Sequence, residues 1–268
     1  MLRRGLADVT HVDLAVADLA SAFDGYRIAV LSDLHHRGHG DLAWLRHAVD
    51  VTNHASVDLI ALLGDYAESF KWAPVLSRRW YRHALGEMTP VLARLQAREG
   101  LVAVLGNHDH YADGEAVSAW LRRLGADVLV NRARRITRGS DGLRIAGIND
   151  TREGHYDPSA GCDLGDRTPT IVLSHNPDGL LHLDPGLRVD AVIAGHTHGG
   201  QIVLPGYGAP ITMARACGPR TASGWVPNAR AKLYVSRGLG EQLPMPIRFN
   251  CPRELLVLRL RSGIQQPA

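Results

Sequence analysis

Thiols, phenyl rings and net charge are all scarce in this chain. Only three cysteines occur, Cys162, Cys217 and Cys251, widely spaced and without a Cys-x-x-Cys pair. That excludes a thiolate zinc knuckle and argues against a disulfide scaffold. A formal charge of +3 over 268 residues is too small for the electrostatic footprint of a nucleic-acid binder, so no nucleic-acid partner is expected. No apolar run approaches the ~18–20 residues that span a bilayer. The start, Met1-Leu2-Arg3-Arg4-Gly5, carries the charge of an export signal, but Asp8, His11 and Asp13 interrupt any apolar stretch after it. A cytoplasmic location is therefore expected, with any targeting segment outside this chain.

What is abundant is histidine, fourteen residues against seven Tyr and three Phe. Hydrophobic content of 45% and charged content of 21% suit a soluble globular protein, and one α/β domain over 1–268 is expected. Residues 9–16 alternate loosely and suggest an edge strand. Short apolar runs at 26–31, 57–63, 101–105, 143–148, 170–173, 191–194, 233–236 and 255–260 read as strands. Helical spacing follows Asp41 to about His54, spans about 90–98 after Pro90, and recurs at 116–124. Residues 149–168 and 205–230 read as irregular loops, and the tail after Gly263 as flexible.

Five of the apolar runs end in the same way. They are Leu31-Ser32-Asp33-Leu34-His35, Leu63-Gly64-Asp65, Leu105-Gly106-Asn107-His108-Asp109, Leu173-Ser174-His175 and Gly195-His196-Thr197-His198. In open α/β sheets ligands bind beyond the carboxyl ends of strands, where neighbouring loops converge. Carboxylate, amide oxygen and imidazole together suit divalent Mn, Fe or Zn. Seven candidate ligands exceed what one catalytic ion with an open position needs, and suit two ions clamping a phosphoryl group.

In this ordered set of Asp-x-His, Gly-Asp, Gly-Asn-His-Asp, His and Gly-His-x-His, the chain resembles the calcineurin-like metallophosphoesterase superfamily. Within it, Gly195–Gln201, Gly106–Tyr111, Val235–Gly240 and Pro246–Pro252 look most like bacterial phosphodiesterases that include pyrophosphatases of the UDP-2,3-diacylglucosamine type. The resemblance covers about 24–262. It implies a four-layer α/β/β/α sandwich of two mixed sheets and a binuclear centre of two divalent metal ions. By the same likeness Asp33, His35 and His198 hold one ion, Asn107, His175 and His196 the other, and Asp65 bridges them. A hydroxide between the ions would attack a phosphodiester or phosphoanhydride. His108 would assist the leaving group, and Asp109 would hold its ring. A phosphomonoesterase with the same metals, or a member of the fold that binds without turnover, are the alternatives.

The stretch 66–82 mixes Tyr66, Phe70, Trp72, Trp80 and Tyr81 with Lys71, Arg78, Arg79 and Arg82. Two readings stay open. One is an interfacial surface for peripheral membrane contact; the other is a helix packing Trp72, Leu76 and Trp80 onto the body. The substrate is expected to be a phosphate-ester small molecule or a lipid-linked one. His36, His39 and His110 match no ligand position and are expected in solvated loops. His155, Asn149 and Asp150 could line the pocket. Arg215 and Arg237 are expected at the surface, with a second substrate phosphate as their other use.

Overall fold

Runs of Val, Ile, Leu and Ala too short for helices, bounded by Gly, Asp and Ser, become strands buried on both faces. The computed structural model describes residues 7–40, 42–227 and 231–263. Its first sheet contains β1 (Asp8–Val16), β2 (Arg27–Leu31), β3 (Leu59–Leu62), β4 (Leu101–Ala103), β5 (Ala126–Val128) and β12 (Glu254–Ser262), in the order β1-β12-β2-β3-β4-β5. Strands β2 to β5 run parallel; β12 is antiparallel to β2 and parallel to β1, which is the edge. The second sheet contains β6 (Arg132–Arg138), β7 (Asp141–Gly147), β8 (Thr170–Ser174), β9 (Ala191–Ala194), β10 (Gly224–Val226) and β11 (Lys232–Val235), in the order β10-β11-β9-β8-β7-β6. There the four central strands are parallel and the two outer ones antiparallel to their neighbours.

Alternation along each strand divides the core. Ile28, Val30, Leu59, Ala61, Val102 and Val104 meet Leu143, Ile145, Ile171, Leu173 and Ile193 between the sheets. The intervening residues of the first sheet, such as Ala29, Leu31, Ile60, Leu62 and Ala103, pack beneath α1 (Ala43–His54), α2 (Pro74–Leu92) and α4 (Gly114–Arg123). A short α3 (Asn107–Ala112) follows β4. Val172, Val192, Leu233 and Val235 are covered by α5 (Gly179–His182) and by loop residues including Ala160, Cys162 and Cys217. The four-layer α/β/β/α sandwich of two mixed sheets is therefore present, with its second outer layer built largely of loop.

One helix lies elsewhere than expected. Pro90 sits in the last turn of α2, not at the start of a helix 90–98, and Pro74 is the proline in the first turn. Tyr81, Ala84, Leu85, Met88, Val91 and Leu92 form a continuous buried stripe that carries the helix through Pro90. The cap expected at Asp41, and 264–268 of the tail, lie outside the described residues.

Candidate metal centre

Five parallel strands, β2, β3 and β4 in one sheet and β8 and β9 in the other, send their carboxyl ends to one rim. Sequence spacing alone would scatter the ligands. They converge because the chain turns sharply immediately after each strand. Asp33, His35, Asp65, His196 and His198 have φ of +53, +43, +53, +71 and +52°, in the left-handed region. That conformation costs a non-glycine residue roughly 1–2 kcal/mol. Hydrogen bonds between the turns hold it: Asp33 N donates to Gly64 O (3.1 Å), His35 N to Asp65 O (3.1 Å), and His196 N to both Asp33 oxygens (3.0 and 3.1 Å). Two glycines allow the approach. A Cβ on Gly106 would lie 2.2 Å from Asp65 Oδ1, and one on Gly195 would lie 2.0 Å from Ser32 Oγ.

The side chains form overlapping triads, each with ligand atoms within 4.8 Å of one another: Asp33–His35–His198, His35–Asp65–His108 and Asp65–His175–His196. Asp65 Oδ2 is 3.4 Å from His35 Nε2 and 3.1 Å from His175 Nε2, which is 3.2 Å from His196 Nδ1. His198 Nε2 is 3.5 Å from Asp33 Oδ1. All seven expected ligands are buried. Among the described residues, both ring nitrogens of His35, Nε2 of His198 and Oδ1 of Asn107 are buried without a hydrogen-bond partner. Such orphans are costly unless something else coordinates them. Lone pairs from imidazole, carboxylate and amide, left open and aimed at one another, fit divalent metal ions.

Electrostatics split the histidines into pairs. Burial alone depresses His35, but Glu68 and Asp65 outweigh it and hold the ring up at about 10. His175 is likewise held at about 10, against burial, by Asp65 and Asp33. Burial and the His175 charge push His196 down to about 3, and burial and His35 push His198 well below its usual range. Asp65 is held low, despite burial, by His175 and His108.

Glu68 is the acid that the sequence reading passed over. It is 5% exposed, with Oε1 at 3.1 Å from His108 Nδ1 and Oε2 at 3.4 Å from His35 Nδ1. Those two histidines hold its carboxyl far below the usual range even though burial opposes it. Asp109, expected to hold the His108 ring, does something else. Its carboxylate accepts from the backbone N–H of Asp65 (2.9 Å), Tyr66 (3.2 Å) and Gly106 (2.7 Å) and from the Tyr81 hydroxyl. It therefore ties the β3 and β4 turns together. For Glu68 the hint in the sequence is an acid three residues after Asp65, in a stretch with two open readings, interfacial surface or packed helix.

Other placements complete the rim. The Gln242 amide lies 3.2 Å from His108 Nε2, and Gln201 clamps that loop by accepting from Gln242 N (2.7 Å) and donating to Met245 O (3.0 Å). Half-buried Arg248 donates to the carbonyls of Arg237 (2.8 Å), Gly238 (3.3 Å) and His198 (3.3 Å), stapling the closing segments behind the site. Arg152 Nη1 reaches within 3.3 Å of His196 Nε2. Arg237 instead pairs with Glu254 at 3.6 Å, and Arg215 is exposed. His36, expected in solvent, is buried at 2.6 Å from Glu87, while His110 bonds Asn149 at 2.7 Å and His155 is exposed.

Three overlapping carboxylate–imidazole triads, two of them sharing Asp65, therefore stand at the strand ends of a two-sheet sandwich. The chain belongs to the calcineurin-like phosphoesterase family, whose model matches residues 26–200, and it is a hydrolase. It is 32% identical to the metallophosphoesterase YkuE of Bacillus subtilis (strain 168) over 260 residues, 96% of this chain and 86% of that protein. Phosphodiesterase YaeI of Escherichia coli (strain K12) is 28% identical over 240 residues, 88% of this chain and 82% of its own. UDP-2,3-diacylglucosamine pyrophosphatase LpxG of Chlamydia trachomatis serovar D is 27% identical over 315 residues, covering 96% and 90%.

Proposed function

We propose that this hydrolase cleaves a phosphodiester or phosphoanhydride at a two-metal centre. The carrying observation is the shared position of Asp65 between the His35 and His175–His196 groups. Asp33, His35 and His198 would hold one ion and Asn107, His175 and His196 the other, with Asp65 shared between the two sets. When bound, two divalent ions (Mn, Fe or Zn) supply Lewis acidity toward the phosphoryl oxygens and acidify the attacking water. His108 donates from Nε2 to the leaving oxygen. Glu68, at 3.1 Å from Nδ1, orients the ring. Asp109 keeps the β3 and β4 turns in register. A general acid helps most when the leaving group is a poorly stabilised alkoxide, which favours a diester over an aryl or activated monoester.

Hydrolysis of bis-p-nitrophenyl phosphate tests this reading: it depends on added Mn and is lost on chelation. Equal rates with and without chelator would overturn it.

The substrate class we assign is a lipid-linked phosphate, reached by peripheral contact of the exposed residues of 66–82 with a membrane; Tyr66 and Tyr81, expected in that surface, are instead buried. Trp72 is 80% exposed, and Val75, Leu76 and Trp80 are exposed beside Lys71, Arg79 and Arg82. Aromatic and basic residues together suit a headgroup layer. The other reading of this stretch, with Trp72, Leu76 and Trp80 against the body, holds only for Trp80, which donates to Arg37 O; Trp72 and Leu76 are exposed, and along α2 the stripe meets His83 and Glu87. Among the described residues no helix is long and apolar enough to cross a membrane. Co-sedimentation with vesicles of phosphatidylcholine and phosphatidylglycerol, weakened by Trp72→Ala, checks the contact; wild-type protein left in the supernatant would exclude it.

A further inference from the structure

Beside the metal centre lies a pocket of about 210 Å³ whose walls include Phe70, Leu76, Trp80 and Leu243. Its polar wall residues are turned onto the protein itself. Ser77 Oγ accepts from Phe70 N (2.8 Å) and donates to Phe70 O (3.0 Å). Trp80 Nε1 donates to Arg37 O, and His39 Nδ1 lies 2.9 Å from that same carbonyl. Arg37 Nη2 donates to Glu241 O (3.2 Å), and Glu68 Oε2 accepts from Leu243 N (3.3 Å). A wall whose donors and acceptors are already engaged rewards apolar surface and penalises a polar guest.

Glu68 belongs to this wall and also touches His108, so the pocket abuts the catalytic rim. Its far side is formed by Leu76 and Trp80, both exposed to solvent. Arg37 and His39 also line a second, polar pocket of about 150 Å³ that opens onto His35. An apolar and a polar recess, side by side and both reaching the cluster, match an amphiphile whose phosphate lies where the two recesses meet.

We propose that the pocket bounded by Phe70, Leu76, Trp80 and Leu243 binds an unbranched acyl or alkyl chain of the substrate while its phosphoryl group sits at the metal centre. This rests on the phosphoesterase reading above and adds where the hydrophobic part goes.

Monomeric n-alkyl phosphates, ethyl to decyl and kept below micelle formation, test it. Their inhibition constants against bis-p-nitrophenyl phosphate are measured on manganese-loaded protein, and their dissociation constants by calorimetry. Affinity rises by up to about fourfold per methylene until the pocket is full. Leu243→Trp, which fills the recess, or the exposed Leu76→Gln should a refolding loss obscure the first, flattens that slope. The slope is read independently of absolute rate. Inhibition and binding that ignore chain length in the wild type would overturn the proposal, as would a slope unchanged in both variants. A slope that is already flat in the wild type, together with vesicle binding lost in Leu76→Gln, would reassign the pocket to a bilayer lipid and likewise overturn it. Absence of any Mn-dependent hydrolysis of bis-p-nitrophenyl phosphate is a separate result that overturns the underlying reading.

Discussion

Replacing Glu68 by glutamine keeps shape and volume but removes one buried negative charge from between two imidazoles, 3.1 Å from His108 and 3.4 Å from His35. At an effective dielectric of about 20, a full charge pair at 3.1 Å is worth about 5 kcal/mol before desolvation. The amide retains a dipole and an acceptor, so the net loss is that of a charge-assisted hydrogen bond, about 1.5–3 kcal/mol. Taken from the transition state, this lowers kcat roughly 10- to 150-fold, at 1.36 kcal/mol per decade. Leaving-group dependence makes the assay discriminating. A ring that protonates the leaving oxygen matters little for p-nitrophenolate and much for an alkoxide. Glu68→Gln should therefore slow alkyl diesters more than bis-p-nitrophenyl phosphate, with metal content unchanged. An equal loss on both substrates, or a loss that tracks metal content, would show that Glu68 serves only to support His35 and refute the positioning of His108.

Three further outcomes follow from the same geometry. Gly106→Ala puts a Cβ at 2.2 Å from Asp65 Oδ1 and 2.8 Å from His175 Nδ1, so elemental analysis should find fewer than two ions per chain; full occupancy would contradict the crowding. Manganese at a hundred times its dissociation constant should stabilise the fold by about 2.7 kcal/mol. At about 2–4 °C per kcal/mol for this size, that raises Tm by roughly 5–11 °C, and scanning calorimetry showing no shift would argue against a formed site. His35 and His175 are held at about 10, above their unfolded value of 6.5, so their stabilisation of metal-free protein is complete below pH 6.5 and lost as pH rises toward 10. His196, pushed down to about 3, acts oppositely and removes stability as pH falls below 6.5. Metal-free protein should thus be most stable near neutrality, and manganese binding at pH 8 should release close to two protons, read from calorimetry in buffers of different ionisation enthalpy. A stability plateau from pH 7 to 10 would be inconsistent with this.

The expected ligands were legible because each follows a run that can only be a buried strand, and parallel strands bring their ends to one rim. Asp33, His35, Asp65, His175, His196 and His198 fall into overlapping groups there, and Asn107 is buried at the end of β4 with its Oδ1 unpartnered. Glu68 was not legible, because burial of a carboxylate among exposed-type residues is decided by a distant contact with His108. Asp109 shows the reverse case: the residue next to His108 in sequence points away from its ring, since α3 begins there and turns the carboxylate onto the β3 backbone. For α2, two apolar stripes of helical spacing compete. Tyr81, Ala84, Leu85 and Met88 extend far enough to cover the sheet; the Trp72 stripe runs into His83 and Glu87. Periodicity reveals both stripes, and only the length of each decides which one is buried.

Strand β12 is drawn from residues 254–262 yet lies between β1 and β2, made from residues 8–16 and 27–31. A growing polypeptide therefore carries an open gap in its first sheet through most of synthesis. Arg248, the staple behind His198, also arrives only with that late segment. Hydrolysis should switch on only once residues 248–262 have emerged from the ribosome and slotted home, so that a chain stalled before them is catalytically silent.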